Sequence, residues 1–347
     1  LIHFSSRPGG IEVLLPVITG AMSGYHFRGF VINKPVNGDV NVYDGMNIPV
    51  QYGNGLTFAT LVNLASYVRK NRNDIFHAFN AGPLIILLLQ SAGARKIVYS
   101  IHGTIHWKAD RKKLMQKVLW KLVLLRQLSF TSNSAYSRDV FRDKIAPDTH
   151  IQVLYNPVDG TKFSPAPVST HSGLSIIYAG RLCKGKNLGK WIWLASELHD
   201  SLTEARFELY GYGPLLPQLE RQVRDQKGES YIHFMGFRED MEGVYRGAGF
   251  LLFLSEYESF GNVAVESILC GTPVIVSDIP SMREIFRDFP EFIIREDDNL
   301  KETVLKKLSE AEKLKELTLK ARQQFMTRFS VKAHTEALES IYTAFNE

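Results

Sequence analysis

Short apolar runs rich in β-branched residues alternate along the chain with segments in which apolar positions recur every three or four residues. The first pattern is typical of buried strands and the second of amphipathic helices. Strands are predicted at 2–5, 27–32, 75–79, 96–103, 128–133, 151–156, 174–180, 206–213, 232–237, 249–255, 272–278 and 291–296. Helices are predicted, among others, at 57–70, 111–126, 134–144, 186–199, 214–226 and 262–270. Such alternation favours parallel sheets with helices on both faces.

The alternation pauses at residues 156–173, which are rich in Pro, Gly, Ser and Thr and have no regular period. This composition is typical of a linker. We therefore expect an α/β protein with two Rossmann-like, doubly wound domains, 1–164 and 165–330, that face each other across a cleft. The helical pattern at 331–347 predicts a last helix that packs back on the first domain. Because ligands bind beyond the carboxyl ends of strands in such sheets, the cleft is the expected functional site.

Charge and cysteine content narrow the possible partners and location. Residues 1–164 contain 19 Lys and Arg against 9 Asp and Glu, whereas the rest of the chain contains 22 against 27. The basic first half favours an anionic partner such as a membrane, a nucleic acid or a phosphorylated substrate, although unevenly charged solvated surfaces would give the same count. Two cysteines do not make a disulfide framework, which favours the cytoplasm. No apolar run approaches the roughly 20 residues that span a bilayer.

Two glutamates flank a Phe-Gly turn in the stretch EYESFGNVAVESILCGTPVIVSD, at 256–278. Glu258 is expected on the loop after a buried strand and Glu266 about one turn into the following helix. Free amides around Gly261 would make the start of that helix a phosphate site, since glycine lets a ligand approach the backbone closely. Carboxylates on either side suit the hydroxyl-rich ends of a nucleotide sugar. Two ordinary surface glutamates would show the same spacing.

This stretch resembles the signature of the group 1 retaining glycosyltransferases, which have the two-domain GT-B fold. The resemblance implies that Glu266 binds the ribose hydroxyls of the nucleotide and that Glu258 contacts the donor sugar. It also implies that the backbone of Phe260, Gly261, Asn262 and Val263 approaches the sugar and the phosphates.

The resemblance extends over nearly the whole chain. IIYAGRLCKGKNL, at 176–188, is similar to a family strand followed by a Gly180–Arg181 turn and a lysine, for which spacing favours Lys186 over Lys184. Two cations on such a turn would clamp a diphosphate and stabilise it as a leaving group.

Further family-like segments add candidates for donor binding. The segment IHFMGF, at 232–237, makes Gly236 and Phe237 candidates for contacts with the base. In the first half, RPGGIEVLLPVI resembles a glycine loop that implies donor contacts for Gly9 and Gly10, and KIVYSIHGT places His102 near the donor sugar.

The reaction implied is transfer of a sugar from a UDP-, GDP- or ADP-linked donor to an acceptor hydroxyl with retention of anomeric configuration. Catalysis would rest on Glu258, Arg181, Lys186 and His102, with Glu258 positioning the sugar electrostatically rather than attacking it. No metal or other cofactor is expected.

The acceptor is less constrained by the sequence. Residues 107–127 are strongly basic, and Leu114, Val118, Leu122 and Leu125 would share one helix face. A basic amphipathic helix favours contact with an anionic membrane, here the inner face of the cytoplasmic membrane. The apolar face could instead pack on the sheet with the lysines in water, or both could hold. Members of the family build surface polysaccharide, including lipopolysaccharide, or lipid-linked saccharides, and the resemblance implies such an acceptor.

Two rival functions fit parts of the pattern. One is another GT-B activity, such as a nucleotide-sugar epimerase, against which the glutamate pair and the Arg-Lys loop argue. The other is a non-catalytic nucleic-acid-binding protein that uses the basic first half. That half lacks the interleaved aromatic and basic residues of single-strand binders, so nucleic acid is not an expected partner.

Overall fold

The computed structural model describes residues 1–3, 10–34, 41, 43–44, 46–103, 110–165, 173–295 and 299–345, with the backbone alone at 110–113. The chain divides into two compact units. The first comprises Leu1–Pro157 and Val331–Glu347, and the second comprises Val158–Ser330.

The strands are β1 (Ile2–His3), β2 (Gly29–Val31), β3 (Val50–Tyr52), β4 (Ile75–Phe79), β5 (Lys96–Ile101), β6 (Ser129–Ser132), β7 (Ile151–Val153), β8 (Ser175–Ala179), β9 (Arg206–Tyr210), β10 (Ile232–Gly236), β11 (Phe250–Phe253), β12 (Val274–Ser277) and β13 (Ile293–Ile294). The helices are α1 (Leu14–Ala21), α2 (Phe58–Lys70), α3 (Gly82–Ser91), α4 (Asp110–Val123), α5 (Ala135–Lys144), α6 (Leu188–His199), α7 (Leu216–Asp225), α8 (Met241–Gly247), α9 (Asn262–Leu269), α10 (Pro280–Ile285), α11 (Leu300–Ser309), α12 (Ala311–Arg328) and α13 (Val331–Thr343).

The first unit is built on a parallel sheet with strand order β3-β2-β1-β4-β5-β6-β7. Helices α2 to α5 cover one face through a core that includes Leu64, Ile85, Trp120 and Phe141. On the other face α1 packs against α13, and both contribute to a second core. Because both faces are covered, the central strands β4 and β5 are buried at every position after the first, as expected for a parallel sheet between two layers of helices.

A chain of buried hydrogen bonds ties α13 to the middle of this sheet. The Tyr342 hydroxyl lies 2.7 Å from His77 Nδ1, and His77 Nε2 lies 2.5 Å from Ser100 Oγ. Ser100 Oγ is in turn 2.5 Å from the Thr131 hydroxyl. Burial and neighbouring positive charges keep the pKa of His77 well below its usual value, so the imidazole is neutral in this network.

The second unit is built on a parallel sheet with strand order β10-β9-β8-β11-β12-β13. Helix α6 is fixed to the centre of the sheet by the Trp191 indole, which donates to the Leu252 carbonyl at 3.0 Å. The unit begins at Val158, earlier than the boundary predicted after residue 164, because Val158 pairs with Ser330 and donates to the Phe329 carbonyl at 2.8 Å. Phe163 also packs against Tyr245 within this unit.

The predicted class of two parallel sheets with interleaved helices is confirmed. Several strands are shorter than predicted, since the apolar runs continue into the loops that follow; β8, for example, ends at Ala179. Strand β3 was missed, because three residues are too few to show a period.

The α4 prediction needs one correction. The structure places Leu114, Val118, Leu122 and Leu125 in solvent, so the alternative that this stripe packs on the sheet is wrong. Trp120 and Val123, on the opposite side of the helix, are buried instead. Trp120 helps to anchor α4 because its large ring packs edge-on against Tyr99 and Phe141.

Candidate functional site

The order of the second sheet reverses between β8 and β11, which lie side by side although they are far apart in sequence. The loops that leave such a switch point diverge and open a crevice at the carboxyl edge of the sheet. The loop after β8 carries Gly180, Arg181 and Lys186, and the loop after β11 carries Glu258.

Gly180 and Gly211 shape the loop after β8. The φ of Gly180 is 140°, and a Cβ there would lie 2.9 Å from the Tyr178 hydroxyl. A Cβ at Gly211 would lie 1.9 Å from the Gly180 carbonyl oxygen, so the loop after β9 presses directly on this turn. Arg181 follows with an exposed side chain, and no carboxylate among the described residues pairs with it.

Lys186 and Glu258 meet at this crevice. The Lys186 ammonium donates to Glu258 Oε1 and lies 5.8 Å from the centre of the Phe253 ring. The Ser255 hydroxyl donates to the same carboxylate oxygen at 3.3 Å. Lys184 is exposed, whereas the Lys186 side chain is 20% exposed and pairs with Glu258, so the geometry favours Lys186 over Lys184.

Tyr257 holds the two loops together, a role that the sequence analysis did not predict. Its hydroxyl donates to the Lys184 carbonyl at 3.4 Å, and a Cβ at Gly185 would lie 2.3 Å from its ring. The Glu256 amide donates to the Gly185 carbonyl at 3.0 Å. These contacts hold the backbone beside Lys186 in a fixed position. An aromatic residue next to Glu258 was the one available signal, and it does not identify its partner.

Helix α9 begins directly after this loop. Gly261 precedes it in the left-handed conformation with a φ of 90°, and no side chain caps the helix. The helix dipole and the first amides of α9, at Asn262 and Val263, therefore favour an anion at this end. The Phe260 side chain is buried edge-on against Phe329, so Phe260 has only its backbone to offer a ligand.

Glu266 lies one turn further along α9 and has a different environment from Glu258. The Tyr245 hydroxyl donates to Glu266 Oε2 at 2.9 Å. Burial raises the pKa of Glu266 to about 7; the Tyr245 hydrogen bond and the Lys162 charge oppose this rise, and the Glu242 charge adds to it. Tyr245 and Lys162 were missed in the sequence because both come from segments that carry no motif.

Gly236 is the last residue of β10, the outer strand of the sheet, two strands away from β8, and Phe237 follows it. Gly236 has a φ of 70°, and a Cβ there would meet nothing within 4 Å. The half-exposed Phe237 ring packs edge-on against Tyr212, with ring centres 5.9 Å apart. These aromatic rings offer an apolar face at the same edge of the sheet, but the structure shows no contact between them and Lys186 or Glu258.

The remaining candidates lie in the first unit. His102 follows β5; its amide donates to Asn80 Oδ1 at 2.8 Å, and its ring lies 5.6 Å from Phe79. Burial, together with the charges of His334 and His3, lowers the pKa of His102 to about 3, so the ring is neutral near pH 7. Gly10 lies in the turn before α1, with open space around its α-carbon. Gly9 lies outside the described residues.

The residues that the structure describes also bear on metal binding and on membrane crossing. No group of three or more His, Cys, Asp or Glu side chains in this part of the chain is arranged to hold a metal ion. None of the described helices is both long and apolar enough to cross a membrane.

Two family models match the chain. Residues 162–324 match the model described as glycosyl transferases group 1, and residues 23–162 match that of glycosyltransferase family 4. The chain is 32% identical over 120 residues to a GDP-mannose-dependent α-(1-6)-phosphatidylinositol dimannoside mannosyltransferase of Mycobacterium tuberculosis, which covers 34% of this chain and 30% of that protein. It is 24% identical over 237 residues to N-acetyl-α-D-glucosaminyl L-malate synthase of Bacillus anthracis, covering 65% of this chain and 61% of that protein. Both alignments span less than two thirds of the relative.

Solved structures match over nearly the full length. The Anabaena HepE structure in complex with UDP and glucose has a TM-score of 0.79 at 19% identity, covering 99% of each chain. Sucrose-phosphate synthase from Thermosynechococcus elongatus has a TM-score of 0.75 at 17% identity, covering 99% of this chain and 94% of that one. At these identities the likeness concerns the fold. The chain belongs to the group 1 glycosyltransferases, and its two parallel sheets with interleaved helices have the GT-B fold.

Proposed function

We propose that this chain is a retaining glycosyltransferase that takes a sugar from a nucleotide-sugar donor. The observation that carries the proposal is the Lys186–Glu258 contact at the switch point of the second sheet, directly before the uncapped start of α9. A cation, a carboxylate and the N-terminus of a helix in one crevice match the parts of a nucleotide sugar.

The diphosphate would be bound by Arg181, Lys186 and the amides of Asn262 and Val263. Arg181 is free of a carboxylate partner among the described residues and can donate two parallel hydrogen bonds to the phosphates, whereas Lys186 supplies a point charge. As the glycosidic bond breaks, negative charge grows on the diphosphate, and these groups would stabilise it most in the transition state. The charge of the leaving group would thus be met by the chain itself, without a metal.

The hydroxyl groups of the donor would be held by the two glutamates. The Tyr245 hydroxyl donates to one carboxylate oxygen of Glu266, and the other oxygen would accept a hydrogen bond from a ribose hydroxyl. Glu258 would accept hydrogen bonds from hydroxyls of the sugar, which gives it a positioning and electrostatic role. The Phe237 ring and the backbone at Gly236 are proposed to contact the base.

Two matched proteins support a nucleotide sugar as donor. HepE of Anabaena was solved with UDP-glucose, and the pneumococcal O-GlcNAc transferase GtfA with UDP and GlcNAc. The family matches do not favour the nucleic-acid-binding alternative.

The acceptor is proposed to be a saccharide or lipid-linked saccharide used for surface polysaccharide, reached at the inner face of the cytoplasmic membrane. The name of the mannosyltransferase relative from Mycobacterium tuberculosis gives its acceptor as phosphatidylinositol dimannoside, which is a glycosylated lipid. The basic segment 107–127 supports the same class of acceptor.

Thermal unfolding with UDP, GDP, ADP and CMP tests the donor class, because a ligand that binds only the native state raises the melting temperature. We expect one diphosphate to stabilise the parent protein and to have much less effect on Glu266→Gln. The corresponding sugar nucleotide is then incubated with enzyme, and the released sugar is followed by proton NMR before its anomers equilibrate. Release of the donor's own anomer supports retention; the opposite anomer, or stabilisation by no nucleotide or sugar nucleotide, contradicts the proposal.

A further inference from the structure

A cavity of about 620 Å³ lies in the first unit, between α2 and the strands β2 and β3 at the edge of the sheet. Its lining includes Gly29 at the start of β2, Pro49 just before β3 and Asn71 just after α2. The cavity is therefore near the amino ends of these strands, whereas the reacting ligands are expected beyond the carboxyl ends. Its volume falls within the range of small-ligand pockets, roughly 300–1,000 Å³.

One face of α2 supplies most of the hydrogen-bonding groups of this cavity. Asn63, Ser66 and Lys70 line it at helical intervals of three and four residues, and Gln51 of β3 lines it as well. Within the described part of the chain, no hydrogen bond or ion pair joins these four side chains to another residue. Amide and hydroxyl groups donate as well as accept, so they suit a ligand that carries both kinds of group.

Tyr67 adds an aromatic surface on the same face of α2. Its partly buried ring packs against Phe30, with ring centres 5.6 Å apart, and it also lines the cavity. Because the core already holds the ring in place, binding a ligand against it costs little side-chain entropy. Sugar rings have apolar C–H faces and hydroxyl groups at their edges. An aromatic ring beside amide and hydroxyl side chains therefore favours a saccharide.

The charges at the cavity favour an acidic sugar over a neutral one. Lys70 and Arg28 line it, and none of the described residues that line it is Asp or Glu. Arg28 Nη2 donates to Asp74 Oδ2 at 2.7 Å, which holds the guanidinium and leaves its other N–H groups for a ligand. A carboxylate on the sugar supplies the charged acceptor that an ammonium and a guanidinium bind best.

We infer that this cavity is a second, non-catalytic site that binds an acidic saccharide. A sugar ring lies on Tyr67, its hydroxyl groups bond to Asn63 and Ser66, and its carboxylate lies against Lys70 and Arg28. The choice of a saccharide rests on the proposed function, in which the acceptor is a saccharide. The site adds a contact with such a molecule away from its reacting end.

Titration calorimetry on the full chain, without nucleotide, tests the site. The probes are trigalacturonic acid, the same trisaccharide with its carboxyl groups reduced to alcohols, and citrate, which has the charge but no sugar ring. We expect trigalacturonic acid to bind at least about fivefold more tightly than either of the others. Lys70→Gln should weaken its binding about fivefold, as expected for a partly exposed charge. Asn63→Ala with Ser66→Ala should weaken it about tenfold, through two lost hydrogen bonds.

Arg69→Gln is the matched control, because Arg69 is the exposed cation next to Lys70 on α2 and does not line the cavity. It should bind the trisaccharide like the parent. The melting temperature reports the folding of each variant, and its shift with nucleotide reports donor binding separately. Trisaccharide binding without a nucleotide shift supports the cavity while counting against the proposed transferase.

Three results would each overturn the inference. The first is that the parent does not bind trigalacturonic acid, even if nucleotides stabilise it. The second is that citrate or the reduced trisaccharide binds equally well. The third is that the cavity variants bind like the parent, or that Arg69→Gln loses as much affinity as Lys70→Gln.

Discussion

The ammonium of Lys186 donates to the carboxylate of Glu258, although 72 positions separate the two residues in sequence. The side chains are mostly buried and share their surroundings with Ser255 and the Phe253 ring. A donor diphosphate would therefore compete with Glu258 for Lys186, and binding would release the carboxylate toward the sugar.

This exchange predicts different effects for the two partners. Lys186→Gln should weaken diphosphate binding by about 10- to 100-fold, the range of a charged hydrogen bond. Glu258→Gln should leave that affinity unchanged or tighter, because the ammonium no longer has a competing partner, while transfer slows about 100-fold or more. Titration calorimetry with the nucleoside diphosphate and steady-state rates measure the two effects. Lys184→Gln, at the exposed neighbour, is the control; a larger loss there than at Lys186 would contradict the assignment.

The raised pKa of Glu266 predicts that the stability of the protein depends on pH. Burial raises this pKa to about 7 from a usual 4.5, so the folded protein holds this proton more tightly than the unfolded chain does. The stabilisation is complete below about pH 4.5 and is lost as the pH rises through 7. Relative to Glu266→Gln, the free energy of unfolding of the parent should fall by roughly 2–3 kcal/mol between pH 4.5 and 7.5. Urea unfolding across this range measures it, with the exposed Glu239→Gln as a control that follows the parent.

The glycines at the ends of β9 and β10 share a positive φ but differ in the space around them. Both have positive φ, but a Cβ at Gly236 meets nothing within 4 Å, whereas one at Gly211 would lie 1.9 Å from the Gly180 carbonyl oxygen. Gly236→Ala should cost about 1–2 kcal/mol from its backbone conformation alone. Gly211→Ala must also displace the Gly180–Arg181 turn. We therefore expect the free energy of unfolding to fall by more than about 3 kcal/mol and diphosphate binding to weaken. Equal losses in denaturant unfolding would show that the close approach does not matter.

Tyr342→Phe probes the buried connection of α13. Removing the hydroxyl leaves His77 Nδ1 without its partner 2.7 Å away, which should cost about 1–3 kcal/mol. Tyr25→Phe, whose ring packs against Tyr342, should cost clearly less. Urea unfolding compares the two, and an unchanged midpoint for Tyr342→Phe would mean that the buried imidazole finds another partner.

Local pattern was enough to predict the sheets, because buried parallel strands such as β11 are continuous apolar runs. It also placed Glu258 and Glu266 correctly on a loop and a helix, since Gly261 and the following periodicity mark where α9 begins. The pairing of Lys186 with Glu258 could not be predicted in the same way. It depends on β8 and β11 being neighbours, which is a property of the strand order.

The side chains that surround the site could not be predicted from the local sequence pattern either. Tyr245 reaches Glu266 from another helix, and Tyr257 fills the space left by Gly185; neither contact has a sequence period. The orientation of α4 shows a further limit. A stripe of four apolar residues usually packs inward, yet Trp120 and Val123 on the opposite side of α4 are buried instead and the stripe lies in solvent.

Helix α13 has a consequence for the order in which the protein folds during synthesis. Leu338, Ile341 and Tyr342 complete a core of the first unit with Val98 and Leu154, but the ribosome makes them only after residues 158–330. Until α13 is made, one face of the first sheet is therefore covered only in part, by α1, while the continuous second unit already has its whole chain available. The nascent protein passes through a state in which its later half can be folded before its earlier half is finished.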